Sequence, residues 1–148
     1  SRFNPSAISG APAFGVLQIL DRTGVRLALP AEDYQLWMLM EPRFNVRWAV
    51  RYLDGLIRKF GGQLAFAMGS YNGGPMLFER HLSRAKGLEF DVMVEEIGPH
   101  ESRNYLRKVA EHTLRYLAIY EEPKRAAKIR QALFPHKWKA EYLPKPDF

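Results

Sequence analysis

A chain of 148 residues with no cysteine is the size of one domain and can form neither a disulfide nor a thiolate metal site. Its 47% hydrophobic and 13% aromatic content is too high for a disordered polypeptide, and no apolar run approaches the roughly 20 residues of a membrane helix. The net charge of +6 suits nucleic acid, an anionic membrane surface, an anionic cell-wall polymer or no partner at all, and does not choose among them.

The opening Ser1-Arg2-Phe3-Asn4-Pro5 has no initiator Met and is not a signal peptide, so the chain reads as a piece of a longer product. Residues 1–15 are rich in Ser, Pro, Gly and Asn and read as loop. Val16 to Leu20 is a short apolar run that suits a strand or a buried helical turn. Asp21 to Pro30 is expected to be a short helix capped by Asp21 or Thr23. Ala31 to Met40 is expected to be a second helix, with Glu32 and Asp33 at its positive end and Pro42 as its stop.

The strongest helical pattern starts at Asn45. Val46, Ala49, Val50, Leu53, Ile57 and Phe60 recur at steps of three and four, which predicts one core-facing stripe. Gly61-Gly62 ends it. Leu64 to Tyr71 is a shorter apolar helix, broken by Asn72-Gly73-Gly74-Pro75. Met76 to Arg84 resumes, and Asp91 caps a helix reaching Ile97. After Gly98-Pro99 a long helix is expected from Glu101 to Tyr120, with Tyr105, Val109, Thr113, Leu117 and Tyr120 on one side. Pro123 suits the first position of a last helix, Lys124 to Phe134. Pro135 to Phe148 contains three prolines and is expected to be an extended strap. No alternating pattern is long enough for a sizeable sheet, so the expected class is mostly α.

Three segments carry loop chemistry that packing does not demand. The first is Ser1-Arg2-Phe3-Asn4-Pro5-Ser6-Ala7-Ile8-Ser9, continuing to Gly15-Val16-Leu17-Gln18-Ile19-Leu20. The second is Gly69-Ser70-Tyr71-Asn72-Gly73-Gly74-Pro75. The third is Pro99-His100-Glu101-Ser102-Arg103-Asn104-Tyr105.

In this order the three resemble the soluble lytic transglycosylases, a mostly α family with the lysozyme-like fold shared by goose-type lysozymes. The family pattern runs Glu-Ser-x-aromatic-Asn-Pro, then Gly-Leu-Met-Gln, then Ala-Tyr-Asn-Ala-Gly-Pro, then Glu-Thr-Arg-x-Tyr. The resemblance covers residues 1–120, with 121–148 left as a basic helix and tail. It implies cleavage of the β-1,4 bond between N-acetylmuramic acid and N-acetylglucosamine of peptidoglycan. It implies no metal, no cofactor and a periplasmic or cell-envelope location.

In that family one glutamate protonates the leaving oxygen, then takes a proton from the sugar's 6-hydroxyl as a 1,6-anhydro ring closes. Glycosidases generally use two carboxylates, with substrate-assisted exceptions that this family resembles. The family's glutamate immediately precedes the serine matched by Ser1. The principal acid, and the helix bearing it, are therefore expected in an upstream segment of the same polypeptide.

The other positions carry over one by one, each beside a plainer reading. Ser9 matches a serine near the reacting sugar, or caps a turn. Gln18 matches a groove-lining glutamine, or makes an internal hydrogen bond. Tyr71 matches a tyrosine whose hydroxyl is directed at the catalytic carboxylate, or is core. Asn72 is placed with the substrate-binding set, although fixing the turn is its simpler role. Glu101 matches a glutamate that takes an acetamide N–H or a stem-peptide amine, or is an ordinary helix N-terminal carboxylate. Tyr105 borders the groove or packs, and Arg103 reads as a structural salt-bridge partner.

Pro12-Ala13-Phe14-Gly15 departs from the family's Gly-Ala-x-Gly, and Pro12 removes a backbone donor. Glu95-Glu96 and Glu121-Glu122 read as solvated charge. His81, His100, His112 and His136 have no metal-ligand spacing. A peptidoglycan-binding scaffold without the acid is the alternative function. A nucleic-acid binder is disfavoured, because no such motif accompanies the basic tail.

Overall fold

The computed structural model describes residues 3–98, 100–135 and 137–138. Ser1, Arg2, Pro99, His136 and most of the expected C-terminal strap lie outside the described residues. The chain divides into two compact units, one up to Gly55 and one from Leu56 onward.

The first unit opens with a small hairpin. Strand β1 (Ala13–Phe14) pairs antiparallel with β2 (Ile19–Leu20), so the strand reading of the Val16 to Leu20 run holds at its end. Gly15 and Gln18 flank the turn with φ of 78° and 55°. Helix α1 (Asp21–Leu27) follows. Its N-cap is Leu20, and no side chain caps it, so neither Asp21 nor Thr23 has the expected role. Asp21 instead accepts a hydrogen bond from the Tyr34 hydroxyl at 2.6 Å.

The expected helix over Ala31 to Met40 does not form. Two short 3-10 turns, Pro30–Glu32 and Leu36–Met40, take its place. Between them Asp33 is left-handed, with φ 43°, which breaks the i to i+4 ladder. Glu32 serves the first turn as its anchor. Its carboxylate accepts from the Leu29 N–H at 2.7 Å and the Trp48 indole N–H at 3.1 Å, and pairs with Arg47. Pro42, expected as a stop, is the first residue of α2 (Pro42–Lys59), where its missing N–H costs nothing.

The buried face of α2 differs from the expected stripe. Asn45, Trp48, Ala49, Tyr52, Leu56, Lys59 and Phe60 are buried, whereas Val46 and Val50 are 42% and 59% exposed. Counting only aliphatic positions rotated the face. Asn45 and Lys59 look polar in the sequence, yet polar groups can go inside when they have partners. The ammonium of Lys59 meets Glu79 at 2.6 Å.

In the second unit α3 (Leu64–Gly73) is buried at Ala65, Phe66, Ala67, Gly69 and Ser70. Gly74, at φ 83°, is the whole break before α4 (Pro75–Arg84). Then follow α5 (Phe90–Glu95), α6 (His100–Tyr120) and α7 (Pro123–Leu133). Helix α3 is the hub, packing on α4, α6 and α7. It can do so because a Cβ on Gly69 would stand 2.0 Å from the Phe78 ring of α4.

On α6 the buried residues are Ser102, Leu106, Ala110 and Leu117. Of the side expected from the sequence, Tyr105, Val109 and Thr113 are only half-buried and Tyr120 is 74% exposed. The small Ser102 lets Gly73 of α3 approach closely, which a count of large apolar residues overlooks. No helix among the described residues is long and apolar enough to cross a membrane.

Candidate active site

In the first unit Ser9 and Gln18 brace one loop. Ser9 Oγ accepts from the Ala13 N–H at 3.1 Å, and the Ser9 N–H donates to the Ala13 carbonyl at 3.0 Å. The Gln18 amide donates to the Gly15 carbonyl at 2.8 Å and to the Ala7 carbonyl at 3.2 Å. Both side chains are half-buried. Their structural roles occupy the Gln18 Nε2 and one lone pair of Ser9. The Ser9 O–H and the Gln18 Oε1 still point to no partner among the described residues. Pro12 is exposed, inside the turn that the Ser9–Ala13 pair closes.

Sequence reasoning missed what holds this loop in place. Asn45 is fully buried. Its Oδ1 accepts from the Leu17 N–H at 2.8 Å, and its Nδ2 donates to the carbonyls of Phe14 at 2.9 Å and Leu39 at 2.8 Å. Gly15 lies so close that a Cβ there would be 2.1 Å from the Leu39 carbonyl oxygen. The available signal was an asparagine at the entrance of a strong helix with a glycine-bounded turn upstream.

In the second unit two of the three motif segments meet. The Ser102 hydroxyl of α6 donates to Asn72 Oδ1 at 2.9 Å, and a Cβ on Gly73 would stand 2.7 Å from that hydroxyl. The end of α3 is thereby fixed on the start of α6, with Ser102 between. Only glycine at position 73 leaves room for that hydroxyl. Apart from this tie the Asn72 side chain is exposed.

Tyr71 is half-buried and lies one residue before that tie. Glu101 is exposed in the first turn of α6, where a carboxylate complements the helix dipole. Tyr105 follows four residues later and so shares its helix face. Arg103 has no salt bridge among the described residues: its guanidinium donates to the Glu95 backbone carbonyl and to His100 Nδ1, the latter at 2.8 Å. The ion pair on Glu95 is made by Arg107 instead.

Three phenols are pushed up by their surroundings. Burial dominates for Tyr34, helped by Asp21, and for Tyr52, where Arg26 and Arg22 oppose it. Burial alone acts on Tyr105. A raised folded-state pKa means that the folded chain holds these protons longer than the unfolded one. Stability is therefore full below about pH 10, the free phenol value, and falls as the pH climbs above it. Urea midpoints measured at pH 8 and 11 should show this loss, and Tyr34→Phe should reduce it. An equal loss in the variant would refute Tyr34's part.

Against known proteins, the transglycosylase SLT domain family matches residues 1–94. The soluble lytic murein transglycosylase of Salmonella typhimurium is 31% identical over 124 residues, 81% of this chain and 19% of that protein. That of Escherichia coli K12 is 28% identical over 125 residues, with the same shares. The chain thus spans about a fifth of the length of the curated relatives it matches. Among solved structures, the 70 kDa soluble lytic transglycosylase of Escherichia coli superposes with a TM-score of 0.79 at 24% identity, covering 96% of this chain and 23% of that one. An inactive variant of the lytic transglycosylase Slt from Pseudomonas aeruginosa gives 0.69 at 27% identity, covering 97% and 22%. The mostly helical, lysozyme-like fold expected from the motifs is present, and the chain belongs to the transglycosylase SLT domain family.

Proposed function

We propose that this chain is the larger part of the catalytic domain of a peptidoglycan lytic transglycosylase. It cleaves the β-1,4 bond between N-acetylmuramic acid and N-acetylglucosamine without water and leaves a 1,6-anhydro end. The observation that carries this reading is the Asn72–Ser102 tie, which joins the second and third motifs in a chain whose residues 1–94 match the SLT domain.

In this reading a glutamate in the position before Ser1 is the acid. It gives its proton to the departing glycosidic oxygen. As a carboxylate it then accepts the 6-hydroxyl proton while that oxygen bonds to the anomeric carbon. Positioned proton transfer of this kind contributes about 10²–10⁴-fold. Tyr71 donates its phenol hydrogen to that carboxylate and Glu101 receives an amide or amine of the substrate. Ser9, Gln18, Asn72 and Tyr105 hold the glycan strand. The site of action is the bacterial periplasm or cell envelope, the partner is the glycan strand, and no cofactor or nucleic acid takes part.

The test is mass spectrometry of muropeptides released from purified sacculi, using this chain and a version extended upstream. The extended version is expected to release 1,6-anhydro muropeptides. Hydrated reducing ends would instead show a hydrolytic lysozyme. Retention on sacculi with no release from either version would show a glycan-holding scaffold.

A further inference from the structure

We infer a second ligand site in the cleft between α4 and α5, shaped for a short peptide that carries free carboxylates. It is a cavity of about 550 Å³ within the second unit, inside the size range of small-ligand pockets. Leu77, Arg80 and Arg84 line one wall. Their spacing of three and four puts them on one face of α4. Leu88, Val92 and Glu96 line the floor and opposite wall.

The walls are fixed relative to each other. The His81 Nε2–H of α4 donates to the Met93 carbonyl of α5 at 2.8 Å. Leu88 and Val92 remain 39% and 44% exposed, so the floor presents apolar surface to water. Arg80 and Arg84 are exposed, and neither has a hydrogen-bond or ion-pair partner among the described residues. By contrast Arg103, Arg107, Arg115 and Arg125 each reach a carboxylate or a carbonyl. Two like charges one helical turn apart repel, and here they flank a concave apolar floor.

Those features select a ligand. Paired guanidinium groups favour a carboxylate, which they can bind through two parallel hydrogen bonds. The apolar floor favours small aliphatic side chains. The lone carboxylate of Glu96 favours an amine at the other end. A short peptide with free carboxylates, alanine methyl groups and one free amine satisfies all three. The stem peptide of peptidoglycan is such a molecule. This choice of source rests on the glycan-cleaving reading, whereas the carboxylate site itself does not.

The test is calorimetric titration of the 148-residue chain with an uncrosslinked stem tetrapeptide. The Arg80→Gln/Arg84→Gln double variant should bind about tenfold or more weakly, as expected when hydrogen bonds to a charged group are lost. Amidating the peptide's carboxylates should weaken binding to the unmutated chain to a similar extent. Both arginines are exposed, and an unchanged thermal melt will confirm that the variant folds. Equal affinity in the double variant, or no peptide binding, overturns the proposal. So does inorganic phosphate displacing the peptide at equal concentration, which would reveal a patch for any anion. A peptide-free chitin oligosaccharide, titrated in parallel, reports on glycan binding alone. Its failure beside intact peptide binding would count against the glycan-cleaving reading and leave this site standing.

Discussion

Asn45→Ala is expected to destabilise the protein by about 2–4 kcal/mol, because it removes a fully buried side chain that bonds three backbone groups at once. Leaving one buried donor or acceptor unsatisfied costs about 1–3 kcal/mol. Here the Leu17 N–H and the Phe14 and Leu39 carbonyls all lose the bond to Asn45, the Leu39 one in a fully buried place. Some relaxation lowers the sum, since water can enter part of the gap. Asn45→Asp should be nearly as harmful. It keeps an acceptor for Leu17 but sets carboxylate oxygens against two carbonyls. Urea unfolding gives the measurement: the midpoint should fall while the slope holds. A loss below about 1 kcal/mol for alanine would show that the loop does not depend on this residue. Gly15→Ala acts on the same joint by a different route, since its Cβ has no space beside the Leu39 carbonyl.

This joint also shows how far the sequence could be read. The helices from α3 onward were legible within a few residues, because Gly74, Pro75, Gly98 and Pro123 punctuate them. The class followed from the lack of any long alternating pattern, and the three motifs from their resemblance to the family. What escaped was the inward face of α2. Trp48 and Asn45 bury polar atoms whose partners, Glu32 and the β1–β2 turn, are remote in sequence. Hydrophobic periodicity cannot register such partners. The segment over Ala31 to Met40 failed for a related reason. Its composition suits a helix, but Glu32 and Trp48 fix a 3-10 turn and Asp33 takes a left-handed conformation. Of the candidate site, the Tyr71 and Glu101 segments were legible as motifs through their residue types and order. The Ser102 hydroxyl that links them could be recognised only once α3 and α6 were packed together.

In a version of the protein that carries the upstream glutamate, Tyr71→Phe is expected to lower kcat by about 10- to 100-fold. The estimate comes from one hydrogen bond to a charged group, worth about 1.5–3 kcal/mol, with each 1.4 kcal/mol a factor of ten. On the proposed mechanism the phenol helps most when the glutamate is ionised, between the two proton transfers. Glycan binding does not require that ionised state, so KM should change little. A structural role would give a different pattern. Tyr71 is half-buried on α3, one residue before the Asn72–Ser102 tie, and phenylalanine keeps its ring. Loss of packing would therefore show in the thermal midpoint, and disturbance of the neighbouring turn would raise KM. Release rates of anhydro muropeptides over a range of sacculus concentrations separate these cases. A variant with unchanged kcat removes Tyr71 from the chemistry. It would leave Glu101, exposed at the start of α6, as the remaining auxiliary group in the second unit. A Glu101→Gln variant would then be the next test, because only its charge, and not its shape, is altered, and loss of a substrate contact should raise KM.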